Sequence, residues 1–392
     1  MAANNSNSKK IKTSVHLIGK RREADGGQDR ALVWSRGPVT VTGIFDGHGT
    51  STTRNVREEG GRISSRLCRD FIEAKLEEEG NPDWRPEQWT TYLTELFPRA
   101  HKNLHEQFKT IYKGCNPGKL STPENPYLVD PDTEDTISGG TTATLVVSYT
   151  KGTDRFVVCA NVGDSEAFLM SSKGIRELTH DHTPSSLTEC MRVRQSDLPV
   201  KGRCIYSVND TEIFTASGNE RPVPASAMPD TVTGMTKMTL NPEGTKWVWN
   251  GRETAKDTGT YFVADYSDIY VRLAMTRSLG DFPVHAVGAI SVPECTVVLL
   301  DPTETGVEVL CSSDGIWDLV VTDEFFGQVH HLKSIKPLTA EAIFTDLVIP
   351  NMVKYARGQQ GDDISLVVTS IPDVAPKASN SSRSSNNSKS NA

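Results

Sequence analysis

The sequence predicts an α+β domain in which antiparallel strands are layered with helices grouped in pairs. Three observations carry this expectation. β-branched runs recur along the chain and several are separated only by tight turns, which favours antiparallel sheets. Helical spacing is confined to two clusters, one before residue 112 and one after residue 322. Acidic residues recur at the strand ends, beside glycine or at the last strand residue.

Residues 1–12 open the chain with an Asn/Ser/Lys-rich stretch, and 375–392 close it with Ser, Asn, Lys and Arg. Such polar tracts bury too little apolar surface to offset chain entropy, so both are expected to be disordered tails. Between them lies an expected domain over 13–374. Val39 to Phe45 reads as a strand ending in the Asp46-Gly47 turn. Helical patterns follow over 54–79, through Ile63, Leu67 and Phe71, and over 87–112, through Tyr92, Leu93 and Leu96. Gly60-Gly61 is expected to weaken the first of these. Residues 114–137 are rich in Pro, Gly and Asp and read as a surface loop. Thr141 to Tyr149 is a further strand. Phe156 to Asn161 and Ala167 to Met170 flank Gly163-Asp164-Ser165 and predict a hairpin. Residues 185–262 lack a clear period and predict an enlarged insertion. Thr296 to Leu300 and Val307 to Cys311 predict a second hairpin. Thr322 and Thr339 are candidate caps for helices over about 322–333 and 338–357, with Pro350 kinking or breaking the last. Ile364 to Ile371 is the final strand.

With 42 Lys+Arg against 50 Asp+Glu, the net charge is −8. That argues against nucleic acid as a partner, because phosphate backbones are bound by basic surfaces. The seven cysteines are scattered, with no CxxC, so free thiols in a reducing compartment are expected and no zinc site. No apolar run approaches the roughly 20 residues of a membrane span. A cytoplasmic or nuclear protein, monomeric, is the expectation.

The chemistry lies in the carboxylates. Asp46 and Asp314 follow strands, Asp362 and Asp363 precede one, Asp281 follows Gly280, Asp29 precedes an apolar run, and Asp164 sits in a turn. Convergence of those ends would gather charges that repel unless cations neutralise them. All-oxygen ligands select Mg²⁺ or Mn²⁺. Two such ions, about 3.5–4 Å apart, can activate a water and clamp a phosphoryl group. His48, two residues after Asp46, is placed to protonate a leaving oxygen.

Seven segments match the PPM/PP2C family of metal-dependent protein phosphatases, in the family's order. They are Gly43-Ile44-Phe45-Asp46-Gly47-His48-Gly49, Ser138-Gly139-Gly140-Thr141-Thr142-Ala143, Asn161-Val162-Gly163-Asp164-Ser165, Leu178-Thr179-His180-Asp181-His182-Thr183-Pro184, Thr276-Arg277-Ser278-Leu279-Gly280-Asp281, Ser313-Asp314-Gly315-Ile316-Trp317-Asp318 and Gly361-Asp362-Asp363-Ile364-Ser365. The chain therefore resembles that family over about residues 16–371. The resemblance implies a four-layer α-β-β-α sandwich and hydrolysis of phosphoserine and phosphothreonine in proteins by a metal-bridged water. It implies Asp46 as the carboxylate bridging two ions and Gly47 as a ligand through its carbonyl. Asp281, Asp314 and Asp362 resemble further metal carboxylates. Asp29 resembles the early acidic residue of the site, Asp164 a ligand of a weaker third ion, and His48 the general acid. Arg22, with Arg21 next, is the candidate for binding substrate phosphate. The chain departs from the family at Gln28-Asp29, where the usual pair is Glu-Asp, and at Glu166, commonly a basic position. Those departures leave open a second function, a binding protein on the same fold without hydrolysis. The insertion reads either as a tolerated surface element or as a substrate-selecting flap. Thr141 and Thr142 read as supports of a core strand, His180 and His182 as fixing a turn, His330-His331 as surface, and Trp317 as packing behind Asp314.

Overall fold

The computed structural model describes residues 10–19, 27–53, 55–184, 186–208, 211–216, 238–240, 247–249, 258–266, 269–317, 319–320, 322–355 and 362–374. Both tails beyond residue 10 and residue 374, and the candidates Arg21 and Arg22, lie outside these residues.

Two five-stranded antiparallel sheets face one another. One runs in the order Lys12–Ile18, Ile364–Ile371, Val307–Ser312, Glu166–Ser171, Gly174–Glu177. The other runs Glu294–Leu299, Asp154–Val162, Ala143–Lys151, Val39–Phe45, Arg30–Arg36. Helices α1 (Gly60–Glu79) and α2 (Pro86–Ile111) cover the second sheet. The helical segments Thr322–Ile335 and 340–355 cover the first.

Side-chain alternation divides the interior into three cores. Along Val39–Phe45, Val39, Val41 and Phe45 pack toward α1 and α2, while Ile44 faces the other sheet. In the final strand, Ile364, Leu366 and Val368 face the C-terminal helices, and Val367 and Ile371 face the sheet opposite. Strands buried on both faces favour apolar and small hydroxyl side chains at nearly every position, which explains the charge-free runs VTVTGIF and ISLVVTSI. The four-layer α-β-β-α sandwich is therefore the observed architecture.

Both predicted hairpins are corrected. Asp154–Val162 and Glu166–Ser171 belong to different sheets, so Gly163-Asp164-Ser165 carries the chain across the sandwich. Glu294–Leu299 and Val307–Ser312 are likewise split between the sheets. Asp154–Val162 instead forms a hairpin with Ala143–Lys151, and Glu166–Ser171 with Gly174–Glu177. Gly60-Gly61 does not interrupt a helix but begins one. A Cβ on Gly60 would stand 2.2 Å from the Ser138 carbonyl oxygen, so only glycine allows this approach. Thr339 caps as expected, accepting from the Ala342 N–H. Pro350 does not break the last helix. The helical segment runs through it: a π-turn, Phe344–Val348, ends just before Pro350 and the helix continues as Ile349–Tyr355, so the proline coincides with a local change of winding.

The region expected to be irregular contains α3 (Leu187–Gln195) and a four-stranded antiparallel sheet of Thr211–Ala216, Arg203–Val208, Thr258–Tyr266 and Ile269–Leu273. Among the described residues no helix is long and apolar enough to cross a membrane.

Candidate active site

A miniature three-stranded sheet assembles one side of the site. Gly47–His48 pairs with Gly140–Thr141, which pairs in turn with Leu279–Gly280. Three separate motifs thereby become adjacent. A Cβ on Gly140 would stand 2.0 Å from Asp281 Oδ2, so glycine is required there. Asp281 itself is left-handed, with φ 46° and ψ 41°, directly after Gly280 at φ 92°. That conformation is strained for a residue with a side chain. It is held by Asp281 N–H donating to the Gly139 carbonyl at 3.1 Å. His48 Nε2 lies 2.6 Å from Asp281 Oδ2.

Thr142 ties the 46–49 loop to the sheet-crossing turn. Its N–H donates to the Asp46 carbonyl at 2.9 Å, and the Asp46 N–H donates to Thr142 Oγ1 at 3.1 Å. The same hydroxyl lies 2.8 Å from Ser165 Oγ, beside Asp164. Thr142 thus does more than support a strand. Its neighbour Thr144 donates to Asn161 Oδ1 at 2.6 Å and steadies the same turn.

The other side comes from the chain's two ends. Asp29 is wholly buried, and its Oδ2 accepts from Ser365 Oγ at 2.6 Å. The Ser365 N–H donates to Ser313 Oγ at 2.9 Å, next to Asp314. Asp363 Oδ2 accepts from the Gln28 N–H at 2.6 Å.

The electrostatics couple several of these carboxylates to one another. Burial pushes Asp29 up to about 7, against the Ser365 hydrogen bond and with Asp363 adding to the rise. Asp46 is pushed well above the usual carboxylate range, first by exclusion of water and then by Asp29, Asp314, Asp164 and Asp362. At His48, desolvation alone would lower the imidazole, but Asp281, then Asp164 and Asp314, leave it raised.

Of the predicted residues, Asp29, Asp314, Asp164 and Asp362 each act electrostatically on Asp46, and Asp281 contacts the same loop through His48. Among the described residues no three of them already converge on one point at coordination distance. The donor set nonetheless suits a hard divalent cation. It is all oxygen, it is mutually repulsive, and Asp29 Oδ1 is buried without a hydrogen-bond partner.

Behind this cluster, Glu189 on α3 takes Arg277 Nη2 at 2.6 Å and Arg192 Nη2 at 2.9 Å. Burial alone would raise Glu189; the two guanidinium groups outweigh it and hold it down at about 2. His182 is buried, and its carbonyl accepts from the Thr276 N–H at 2.6 Å, so it fixes a turn as its motif suggested. Trp317 packs edge-on against Phe168 and Phe325. Residues that sequence reasoning missed are Ser365, Ser313 and Glu59. Ser365 and Ser313 lay inside recognised motifs; Glu59 lay in an ordinary-looking charged run.

Fold and site together define a phosphatase-type sandwich with an acidic centre. The family description "Protein phosphatase 2C" matches residues 101–353, well over half of the chain. The chain belongs to the protein phosphatase 2C family. Asp29, the 46–49 loop and Asp362 fall outside the matched stretch, and it is the geometry above that unites them with the rest. Among similar proteins is "Probable protein phosphatase 2C 35" of Arabidopsis thaliana, 26% identical, covering 72% of this chain and 60% of that protein. Another is "Probable protein phosphatase 2C 38" of Oryza sativa subsp. japonica, 25% identical, covering 78% and 58%. The chain thus spans about three-fifths of the length of these relatives. A serine-threonine phosphatase 2C from Toxoplasma gondii shares the fold at TM-score 0.56 and 16% identity, covering 92% of this chain and 94% of that one. A C. elegans sex determining protein does so at TM-score 0.52 and 16% identity, covering 93% and 66%.

Proposed function

We propose that this chain is a metal-dependent phosphatase acting on phosphoserine and phosphothreonine in proteins. What supports the reading is that Asp29, Asp314, Asp164 and Asp362, all from separate elements, act electrostatically on Asp46. In this reading the catalytic domain is 13–374, and the 185–262 segment is an enlarged flap beside the site.

Asp46, the Gly47 carbonyl, Asp281, Asp314 and Asp362 would hold two Mg²⁺ or Mn²⁺ ions, with Asp29 supporting them and Asp164 serving a weaker third. Bound there, the pair would supply a polarised bridging water for attack on phosphorus and positive charge for the phosphoryl oxygens. The chain's own residues do the rest. Asp281 holds the His48 imidazole and favours its protonated form, the one that can give a proton to the departing serine or threonine oxygen. Thr142 fixes the backbone of Asp46, and Ser365 fixes Asp29. Arg22 is the candidate for gripping the substrate phosphate.

The test is release of phosphate from a phosphothreonine peptide. Activity should require added Mn²⁺ or Mg²⁺ and stop with EDTA. Asp46→Asn should lose metal binding and turnover together. His48→Ala should keep the metal but slow turnover by about 10²–10⁴-fold. A chain that takes up Mn²⁺ but hydrolyses no phosphopeptide would instead be a binding protein on this fold.

A further inference from the structure

Position 28 is where this chain lacks the glutamate of the usual acidic pair, and the fold brings another carboxylate against it. Gln28 is gripped from three sides. Its N–H donates to Asp363 Oδ2 at 2.6 Å. Its carbonyl accepts from Ser65 Oγ on α1. Its side-chain Nε2 donates to Glu59 Oε2.

That last contact fixes the amide. Turned over, it would set Oε1 against a carboxylate, two acceptors with no proton between them. Oε1 therefore faces away from Glu59. It lies 2.5 Å from where a Cβ on Gly61 would stand, and the same point is 2.6 Å from the His48 nitrogen. The amide oxygen and the His48 nitrogen thus both lie over Gly61, within about 5 Å of each other. A Cβ on Gly47 would in turn stand 2.5 Å from the Gln28 carbonyl oxygen.

Glu59 is not behaving as a surface or capping residue. The adjacent Glu58 does, pairing with Arg66 at 3.1 Å with both side chains open to water. Glu59 is half-buried and turned inward. It stands at the N-cap of α1, yet its side chain makes no capping hydrogen bond there.

We propose that Glu59 is a positioning residue for the metal centre. It supplies, one hydrogen bond removed, the negative charge that a glutamate at position 28 would supply directly. It also fixes the Gln28 amide with its oxygen toward the 46–49 loop. The assignment rests on the reading that the aspartate cluster holds divalent cations. A carboxylate accepting from an amide polarises it, so the far oxygen becomes a better acceptor. Partners in such an outer layer commonly change metal affinity by about 10–100-fold.

The experiment is calorimetric titration of the full chain with Mn²⁺, for wild type, E59Q and the exchange variant Q28E/E59Q. E59Q is expected to bind Mn²⁺ about tenfold more weakly. The exchange returns one carboxylate and one amide to the pair, with their places reversed, and is expected to bind within about threefold of wild type. E59Q binding as tightly as wild type overturns the assignment, as does an exchange variant no better than E59Q. Thermal melting without metal reports whether each variant holds its fold. Should E59Q fail to fold, the exchange variant decides alone, since near-native binding there requires the charge to be transferable. Wild-type protein taking up no Mn²⁺ would sink the cation reading itself; tight wild-type binding with an unchanged E59Q sinks only the role of Glu59.

Discussion

At the scale of single residues, the site depends on neutral groups as much as on charged ones. Thr142 is fully buried, and its hydroxyl serves both Asp46 and Ser165. Thr142→Val keeps the shape and removes the hydroxyl, leaving the Asp46 N–H unsatisfied. That substitution should cost about 1–3 kcal/mol in urea unfolding. It should also weaken Mn²⁺ binding about tenfold by calorimetry. Thr142→Ser should restore most of both. The aspartates were legible in the sequence because each stands at a strand end or beside a glycine. Thr142 was not, since a threonine in a strand looks the same whether it packs or positions. Glu59 was less legible still. In Arg57-Glu58-Glu59-Gly60-Gly61 nothing separates the exposed Glu58 from the inward Glu59 except the fold.

At the scale of elements, the helix starts and the sheet crossings matter most. Gly61 begins α1 where a methyl group would meet Gln28 Oε1 at 2.5 Å and the His48 nitrogen at 2.6 Å. Gly61→Ala should therefore destabilise by about 1–3 kcal/mol despite the better helix propensity of alanine. Gly327, in Thr322–Ile335, has nothing within 4 Å of an added Cβ. Gly327→Ala should stabilise by up to about 1 kcal/mol, and urea midpoints of the two variants should move in opposite directions. The sequence located Val39–Phe45 and Ile364–Ile371 to the residue, because a strand buried on both faces writes itself as a charge-free, β-branched run. It mispaired the strands around Gly163-Asp164-Ser165. A tight turn has the same local chemistry whether the chain returns alongside itself or passes to a facing sheet. Only the packing of the two layers decides, and that information is not local.

At the scale of the whole molecule, a histidine stack behind the active site ties stability to pH. His101 on α2 stacks on His285 with ring centroids 4.2 Å apart, and His101 Nδ1 accepts from the Gly280 N–H at 3.2 Å. Burial pushes His101 down to about 4, with Asp281 opposing and His105 adding to the fall. His285 is depressed further, by burial and then by His101 and Arg192. A folded-state value below the unfolded value of about 6.5 means that the unfolded chain takes up the proton first. The stabilisation from neutral His101 is thus complete above about pH 6.5 and is lost as pH falls toward about 4. His101→Asn keeps an acceptor for Gly280 but removes the titration. It should be less stable than wild type at pH 8, and that deficit should narrow in melts at pH 4.5. A deficit constant across this range would show that His101 does not titrate on unfolding.

The order of the first sheet has a consequence for how the protein is made. Lys12–Ile18 pairs with Ile364–Ile371, and among the described residues it has no other neighbour in its sheet. It must therefore wait for that partner until Ile364–Ile371, about 350 residues later, leaves the ribosome. The same late strand brings Ser365 to Asp29, and Asp363 just before it reaches Gln28, so the site closes in the same step as the sheet. A ribosome stalled before residue 364 would hold a chain that has its hallmark loop at 46–49 but neither a finished sandwich nor a finished acidic centre. Chaperone dependence and loss of activity on C-terminal truncation should accordingly appear together.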